Sequence, residues 1–130
     1  MMTPDGWTIA SSSQGNCVGA RRVVRSREIQ VCETDNPGHI IQVTEHAWDS
    51  FLMAIKADAY EPERDGNAVV FTVDDPIRRR SPSVETTDTN WNLFVAGVKA
   101  GKFDKLPPVP LGLAVGQWET GEYLSSAKTG

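Results

Sequence analysis

The chain has 130 residues, of which 23% are charged and 39% are hydrophobic, and its formal net charge is −4. This length fits one compact domain, and the composition excludes a wholly disordered chain. The apolar runs are too short for a membrane-spanning helix, and the acidic balance is unlike that of a protein that coats DNA. Because the first residues lack the basic and apolar regions of a secretion signal, we expect a soluble, cytoplasmic protein.

Two short strands are predicted near the beginning of the chain, at residues 7–10 and 16–20, on either side of a serine-rich loop. Cys17 lies in the second of them, and Cys32 lies in the next predicted strand. Since a reducing cytoplasm keeps an isolated pair of cysteines as thiols, both are expected to be small buried apolar residues.

A β-hairpin followed by a helix is predicted next. Alternating residues indicate strands at 28–34 and 39–43, with a turn at 35–38 between them. A helix is predicted at 45–57, where apolar residues recur at the spacing of one helix face, with Thr44 as its N-cap. The buried face of this helix is expected to contain Trp48, Phe51 and Ile55.

The same order of elements returns later in the chain. Strands are predicted at 68–73 and 83–86 and a helix at 88–100, with Thr87 as its N-cap. The apolar face of this helix repeats that of the first one 43 positions later, at Trp91, Phe94 and Val98. In the preceding strands the repeat offset is 39, so four extra residues are expected in the second unit. They are expected in an enlarged turn that contains Arg78, Arg79 and Arg80.

The predicted fold is α+β, with two related β-hairpin-plus-helix units and flanking strands. The strands are expected to form an antiparallel sheet covered by the two helices, with a pseudo-two-fold relation between the units. Residues 1–62 form the first unit, residues 63–106 the second and partial unit, and residues 107–130 a proline-rich exit with a strand at 111–115 and a polar tail. Because each unit alone is too small to bury a core, the two are expected to pack as one compact domain.

The opening of the chain and its second helix resemble the actinobacterial domain of unknown function 397. That family opens with Trp or Phe, Ser-Ser, a glycine-rich loop and Asn-Cys-Val-Glu-Val-Ala, and Trp7, residues 11–13 and residues 16–20 take these places here. Its closing helix carries a Trp, Phe, Val-Lys-Gly and Phe-Asp pattern, which residues 91–104 match. The chain departs from the family at Gly19, where an acidic residue is usual, and its second copy lacks the opening.

The resemblance implies a role in regulation. Proteins of this family are commonly encoded beside helix-turn-helix regulators of the Xre type, and an antitoxin-like partnership with such a regulator is therefore expected. If single-copy members of the family pair as dimers, a chain with two copies is an intramolecular version of that dimer, and self-association stays open. Neither composition nor spacing carries these expectations.

Arginines are the candidate contacts for a partner. Arg21 and Arg22 form one cluster and the triplet at 78–80 forms the other, and Trp118 is a candidate interface anchor. The triplet fits phosphates or an acidic partner, or simply a solvated turn that protects a strand edge. Direct nucleic-acid binding is the alternative function, although the negative net charge disfavours nucleic acid as the main ligand.

No catalytic, metal or cofactor site is predicted. The histidines are His39 and His46, and neither has a sequence context that indicates a nucleophile pair. Cys17 and Cys32 lack the close Cys or His neighbours of a zinc site, and the glycines do not form a phosphate-binding loop. A non-enzymatic interaction protein is therefore expected.

Overall fold

Two three-stranded meanders, each followed by one helix, make up the molecule. The computed structural model describes residues 6–10, 17–23, 28–34, 36 and 38–109. The first unit consists of β1 (Val18–Val23), β2 (Glu28–Glu33), β3 (Ile41–Thr44) and α1 (Glu45–Lys56). The second consists of β4 (Glu63–Asp65), β5 (Ala68–Thr72), β6 (Ser83–Thr87) and α2 (Asp88–Lys99), and β7 (Pro108–Val109) follows. The predicted α+β class is confirmed.

Several predicted features lie outside the described residues. They are the serine-rich loop at 11–15 with Asn16, Asp35 and Pro37 of the first hairpin's turn, the strand at 111–115, and Trp118. The pseudo-two-fold relation and the division into units at residue 62 stay predictions.

The strands belong to two sheets rather than to the single sheet that was expected. The first sheet has the order β3-β2-β1-β7 and the second the order β4-β5-β6. All pairings are antiparallel except that of β7, which runs parallel to β1. Each strand of a meander pairs with its neighbour along the chain. Helix α1 follows the third strand of the first meander, and the strands after it form the second sheet. The two sheets and both helices share one apolar core.

Both helices begin at the predicted threonines. The side-chain oxygens of Thr44 and Thr87 accept hydrogen bonds from the backbone N–H groups of Ala47 and Asn90, each at 3.2 Å. These bonds satisfy N–H groups that the first turn of a helix leaves without partners. Neither helix in the described part of the chain is long and apolar enough to cross a membrane. All six residues predicted for the helix core are buried: Trp48, Phe51, Ile55, Trp91, Phe94 and Val98.

The strand register corrects the predicted alignment of the two units. Thr44 lies opposite Glu28, and Thr87 lies opposite Ala68. The offset between Glu28 and Ala68 is therefore 40, so the second unit has three extra residues rather than four. In addition, the second unit begins with β4, a strand that was not predicted, which gives this unit a third strand. Its three exposed charged residues carry no apolar alternation, which is why the sequence did not reveal it.

An aromatic cluster fills the space between the helices and the second sheet. The Phe94 ring lies 4.9 Å from that of Phe103, 5.9 Å from that of Phe71 and 6.2 Å from that of Trp48, measured between ring centroids. These distances are typical of favourable aromatic pairs. Residues from both units therefore build a common core.

A second, smaller apolar cluster covers the other face of the first sheet. It contains Trp7, Ile9, Cys17 and Cys32, and both cysteines are buried thiols. A Cβ atom at Gly19 would lie 3.2 Å from the Cβ of Trp7. The absence of a side chain at Gly19 thus lets the N-terminal segment lie close to the sheet.

Candidate functional site: the arginine turn

A four-residue turn at 76–79 lies in the connection between β5 and β6. We call residues 76–80 the arginine turn. Asp75 and Arg80 close it, because the Asp75 N–H donates to the Arg80 carbonyl at 2.8 Å and the Arg80 N–H donates to the Asp75 carbonyl at 3.1 Å. Arg79 has a φ of 57°, in the left-handed region that most side chains disfavour. The enlarged turn predicted around the triplet is present.

Asp75 anchors this turn to the first unit. The side chain is buried, and its Oδ2 accepts a hydrogen bond from the Thr44 backbone N–H at 2.9 Å. Its Oδ1 accepts a second from the Thr44 hydroxyl at 2.9 Å, and a longer one from the Arg78 N–H at 3.4 Å. The residue that caps α1 therefore also holds the turn of the second unit.

These contacts change the acidity of the carboxyl. Burial by itself raises the pKa of Asp75, because it disfavours the charged form. The hydrogen bonds from Thr44 and from the Arg78 N–H, with the nearby charge of Arg80, outweigh burial, so the pKa of Asp75 lies below its ordinary value. Asp75 is consequently an anion at neutral pH.

Two arginines of the triplet bind the first unit. Arg78 forms an ion pair with Glu28 of β2, whose side chain is almost completely buried. The Arg80 guanidinium donates to the Gln42 backbone carbonyl of β3 at 3.0 Å. The sequence left open whether the triplet contacts a partner or is a solvated turn. In the structure, Arg78 and Arg80 contact the first unit of the same chain.

Arg79 and Ile77 differ from these neighbours. The Arg79 side chain is exposed and makes no hydrogen bond or ion pair with any residue that the structure describes. Ile77 is 61% exposed. Beside Arg79 lies an open depression whose lining includes two aspartates and two arginines: Asp74, Asp75, Pro76, Arg79, Arg80 and Ser81. All five residues at 76–80 are exposed, and Arg79 differs from Arg78 and Arg80 in that its side chain makes no hydrogen bond or ion pair with a described residue.

The structure overturns Arg21 as a partner contact. Its side chain is 0% exposed, its guanidinium carbon lies 4.0 Å from the Trp7 ring centroid, and its Nε donates to Gln30 Oε1 at 2.9 Å. Residues alternate between the faces of β1, and the face of Arg21 is the one covered by Trp7. Arg22, on the opposite face, is partly buried, pairs with Glu45 and donates to the Leu106 carbonyl at 3.1 Å.

A polar ladder connects Arg21 to the arginine turn. Gln30 Nε2 donates to Gln42 Oε1 at 2.9 Å, and Gln42 Nε2 donates to Glu28, the partner of Arg78. Sequence analysis missed these glutamines because polar residues at alternate strand positions usually face solvent. Their placement opposite one another in register, Gln30 against Gln42, is the pattern that identifies the ladder.

A second buried carboxylate, that of Glu33, belongs to the first unit and contacts the second unit. Glu33 at the end of β2 accepts hydrogen bonds from the Thr86 hydroxyl at 3.0 Å and from Asn90 Nδ2 at 2.6 Å. Asn90 lies on the same helix face as Phe94, because residues four apart share a face. A polar residue on this apolar face is the sequence signal that could have indicated a buried polar contact. Each unit thus places a carboxylate near the N-terminus of the other unit's helix.

The described residues contain no group of three or more His, Cys, Asp or Glu side chains able to hold a metal ion. His39 Nε2 lies 3.0 Å from the Ser83 carbonyl oxygen and joins the two units, and His46 is exposed on α1. The Tyr60 hydroxyl accepts the Thr72 N–H at 2.8 Å, and burial raises the pKa of Tyr60. The titratable groups therefore support structural contacts.

Comparisons with protein-family models, with curated proteins and with solved structures found no match for this chain.

Proposed function

We propose that this protein is a non-enzymatic, cytoplasmic regulatory partner that binds a helix-turn-helix transcriptional regulator. The arginine turn is the observation that supports binding to another protein. Ile77 and Arg79 are both exposed on a turn that is anchored at Asp75. Arginine and apolar residues on a preorganised element are what a binding hot spot needs. The choice of regulator rests on the resemblance of the opening segment and second helix to the actinobacterial family.

Charge favours a protein over nucleic acid as the ligand. Glu28 forms an ion pair with Arg78, and the positive charge of Arg80 is close enough to Asp75 to help lower the pKa of Asp75. Arg79 makes no ion pair with a described residue, and Asp74 and Asp75 line the depression beside it. Because affinity for a phosphate backbone grows with the number of phosphates neutralised, one such cation supports little binding to DNA.

Isothermal titration calorimetry tests this proposal. The protein is titrated into the purified helix-turn-helix regulator encoded beside it, and saturable binding at micromolar affinity or better is the expected result. An equal titration into a helix-turn-helix regulator from another locus controls for non-specific association. Absence of heat and of a concentration-dependent shift with the neighbouring regulator overturns the proposal.

A parallel assay covers the nucleic-acid alternative. Fluorescence anisotropy of a labelled DNA duplex is measured across a range of salt concentrations. We expect no saturable binding. Tight binding that weakens steeply with salt would replace the regulator by DNA as the ligand.

A further inference from the structure

We propose that Ser81, directly after the arginine turn, is a phosphorylation site, and that its phosphate pairs with Arg79. The expected enzyme is an arginine-directed protein serine kinase that uses ATP. This inference goes beyond the proposed function, because it concerns a covalent modification of the chain and does not depend on which protein the turn binds.

Ser81 is accessible to an enzyme. It is exposed and lies outside the helices and strands, in the connection between β5 and β6. Its backbone makes no hydrogen bond with a residue that the structure describes. Pro82 follows it, and a residue before a proline favours an extended backbone. Since proteins commonly bind extended segments of their partners, a kinase can take up this segment without unfolding a helix or strand.

Three arginines before the serine provide the recognition sequence. Arg78, Arg79 and Arg80 lie three, two and one positions before it, and all three are exposed. Even Arg78, which pairs with Glu28, has a side chain that is 45% exposed. Kinases select their substrates in part by charge pattern, and guanidinium groups bind carboxylates through paired hydrogen bonds. The segment therefore fits a kinase whose substrate groove carries carboxylates.

Asp74 is the present partner of the hydroxyl. Ser81 Oγ donates to Asp74 Oδ1 at 2.8 Å, and both residues are exposed. Phosphorylation removes the proton that makes this bond and adds about −1.5 to −2 charges at neutral pH. Because like charges at such a distance repel each other, the phosphate must turn away from Asp74.

Arg79 is the group that receives the phosphate. Its side chain and that of Ser81 line the same open depression. Arg79 makes no hydrogen bond or ion pair with a described residue, whereas the Arg80 guanidinium donates to the Gln42 carbonyl. A guanidinium binds a phosphate through two parallel, charge-assisted hydrogen bonds. Arg79 can therefore take the phosphate without giving up a contact that the structure shows.

The two aspartates of the depression oppose the phosphate less strongly than Arg79 attracts it. The Asp75 carboxylate already accepts three hydrogen bonds, two from Thr44 and one from the Arg78 N–H. Asp74 is exposed, so water and salt screen its repulsion. The remaining orientation for the phosphate is toward Arg79.

The transfer changes the sign of the charge on this surface. The kinase breaks the bond between the γ-phosphorus of ATP and the oxygen that bridges it to the β-phosphate, and ADP leaves with the electron pair. A bond forms between that phosphorus and Ser81 Oγ, and the hydroxyl proton passes to a carboxylate base of the kinase. The three arginines and two aspartates at 74–80 leave one net positive charge, which the phosphate reverses.

Phosphorylation of the whole chain tests the site. The purified protein is incubated with ATP and a protein serine kinase that requires an arginine three positions before the serine and a proline directly after it. Mass spectrometry should locate the phosphate at Ser81 and not at Ser50, which is also exposed but lies in α1 without an arginine shortly before it. Ser81→Ala should abolish the modification. Arg78→Lys should slow it several-fold, since lysine keeps a charge opposite Glu28 but loses the paired hydrogen bonds.

Phosphorus NMR of the phosphorylated protein measures the pairing with Arg79. The second pKa of a free phosphoserine is about 6, and a guanidinium in contact should lower it. In phosphorylated Arg79→Gln, which keeps most of the side-chain length but loses the charge, this pKa should be higher than in the wild type by at least about 0.5. Lys105→Gln removes a cation from another exposed position and should leave the pKa unchanged.

The outcomes decide each part of the inference. Absence of phosphate from Ser81, or equal incorporation at Ser81 and Ser50, overturns the modification site. An unchanged rate in Arg78→Lys overturns recognition through the arginines. Equal pKa values in phosphorylated wild type and phosphorylated Arg79→Gln overturn the pairing. Neither assay contains the helix-turn-helix regulator, so the proposed function stands or fails separately.

Discussion

Replacing Thr44 with alanine should destabilise the protein more than replacing Thr87, although both threonines cap a helix with the same bond. Each side-chain oxygen accepts an N–H from three residues further on, at 3.2 Å. The Thr44 hydroxyl also donates to Asp75 Oδ1 at 2.9 Å. No carboxylate contacts the Thr87 side chain within the described part of the chain. The difference between the two variants therefore measures the link between the units.

The expected sizes follow from the bonds that are lost. Loss of a threonine cap costs about 1 kcal/mol, which is the whole effect expected for Thr87→Ala. Loss of a hydrogen bond to a charged group costs about 1.5–3 kcal/mol. Asp75 is 1% exposed, so water does not replace the missing donor. Thr44→Ala should accordingly cost about 3 kcal/mol.

Urea unfolding at pH 7, followed by tryptophan fluorescence and circular dichroism, measures both free energies of unfolding. The same Thr44→Ala change is then made in an Asp75→Ala background, where its cost should fall to about 1 kcal/mol because only the cap remains to be lost. Equal costs for Thr44→Ala and Thr87→Ala, or a Thr44→Ala cost that does not depend on Asp75, would refute the proposed link.

Three further predictions concern the core and acid stability. Gly97→Ala should destabilise by about 1–3 kcal/mol by overpacking, because its Cβ would lie 2.8 Å from the Cβ of Ala10; in an open helix the same change would stabilise. Trp91→Ala should cost about 3–5 kcal/mol, since the side chain is buried in the core. The folded state lowers the pKa of Asp75, so the stability it contributes is fully present above its unfolded pKa of about 3.9 and is lost as pH falls further. Asp75→Asn should therefore be less stable than wild type at pH 7 but lose less stability on acidification.

The same urea titrations check these three changes. A stabilised Gly97→Ala variant would show that the N-terminal segment does not lie against α2. A cost below about 1 kcal/mol for Trp91→Ala would place that residue outside the core. For Asp75→Asn the titration is repeated from pH 7 down to about pH 2.5, below the unfolded pKa, and parallel curves for variant and wild type would contradict the hydrogen-bonded anion.

The helices were predictable because their determinants are local. Apolar spacing indicated the helix at 45–57, and the structure has α1 at Glu45–Lys56; 88–100 corresponds to α2 at Asp88–Lys99. A cap threonine and one apolar face act over a few residues, so they can be read along the chain. The arginine turn was predictable for the same reason, as an insertion between two strands.

The burial and the contacts of individual arginine side chains were not predictable in the same way. Arg21 and Arg22 are adjacent in sequence, yet Arg21 lies beneath Trp7 while Arg22 reaches the Leu106 carbonyl. Which of two neighbouring strand residues is covered depends on a segment distant in the chain. Arg78, Arg79 and Arg80 are all exposed, and only the position of the first unit decides that Arg78 and Arg80 contact it while Arg79 does not.

The two helices, their caps and the strands with apolar alternation therefore follow from the amino-acid sequence, since hydrogen bonds and apolar periodicity within a segment specify them, whereas the charged strand β4 does not. The separation of the strands into two sheets, and the contacts of Asp75 and Glu33 with the opposite unit, arise only when the units pack. Buried polar groups must find partners, and those partners lie 31 and 57 residues away in the chain. Contacts between residues so far apart in the sequence form only through tertiary packing, which also leaves Arg79 exposed on the surface.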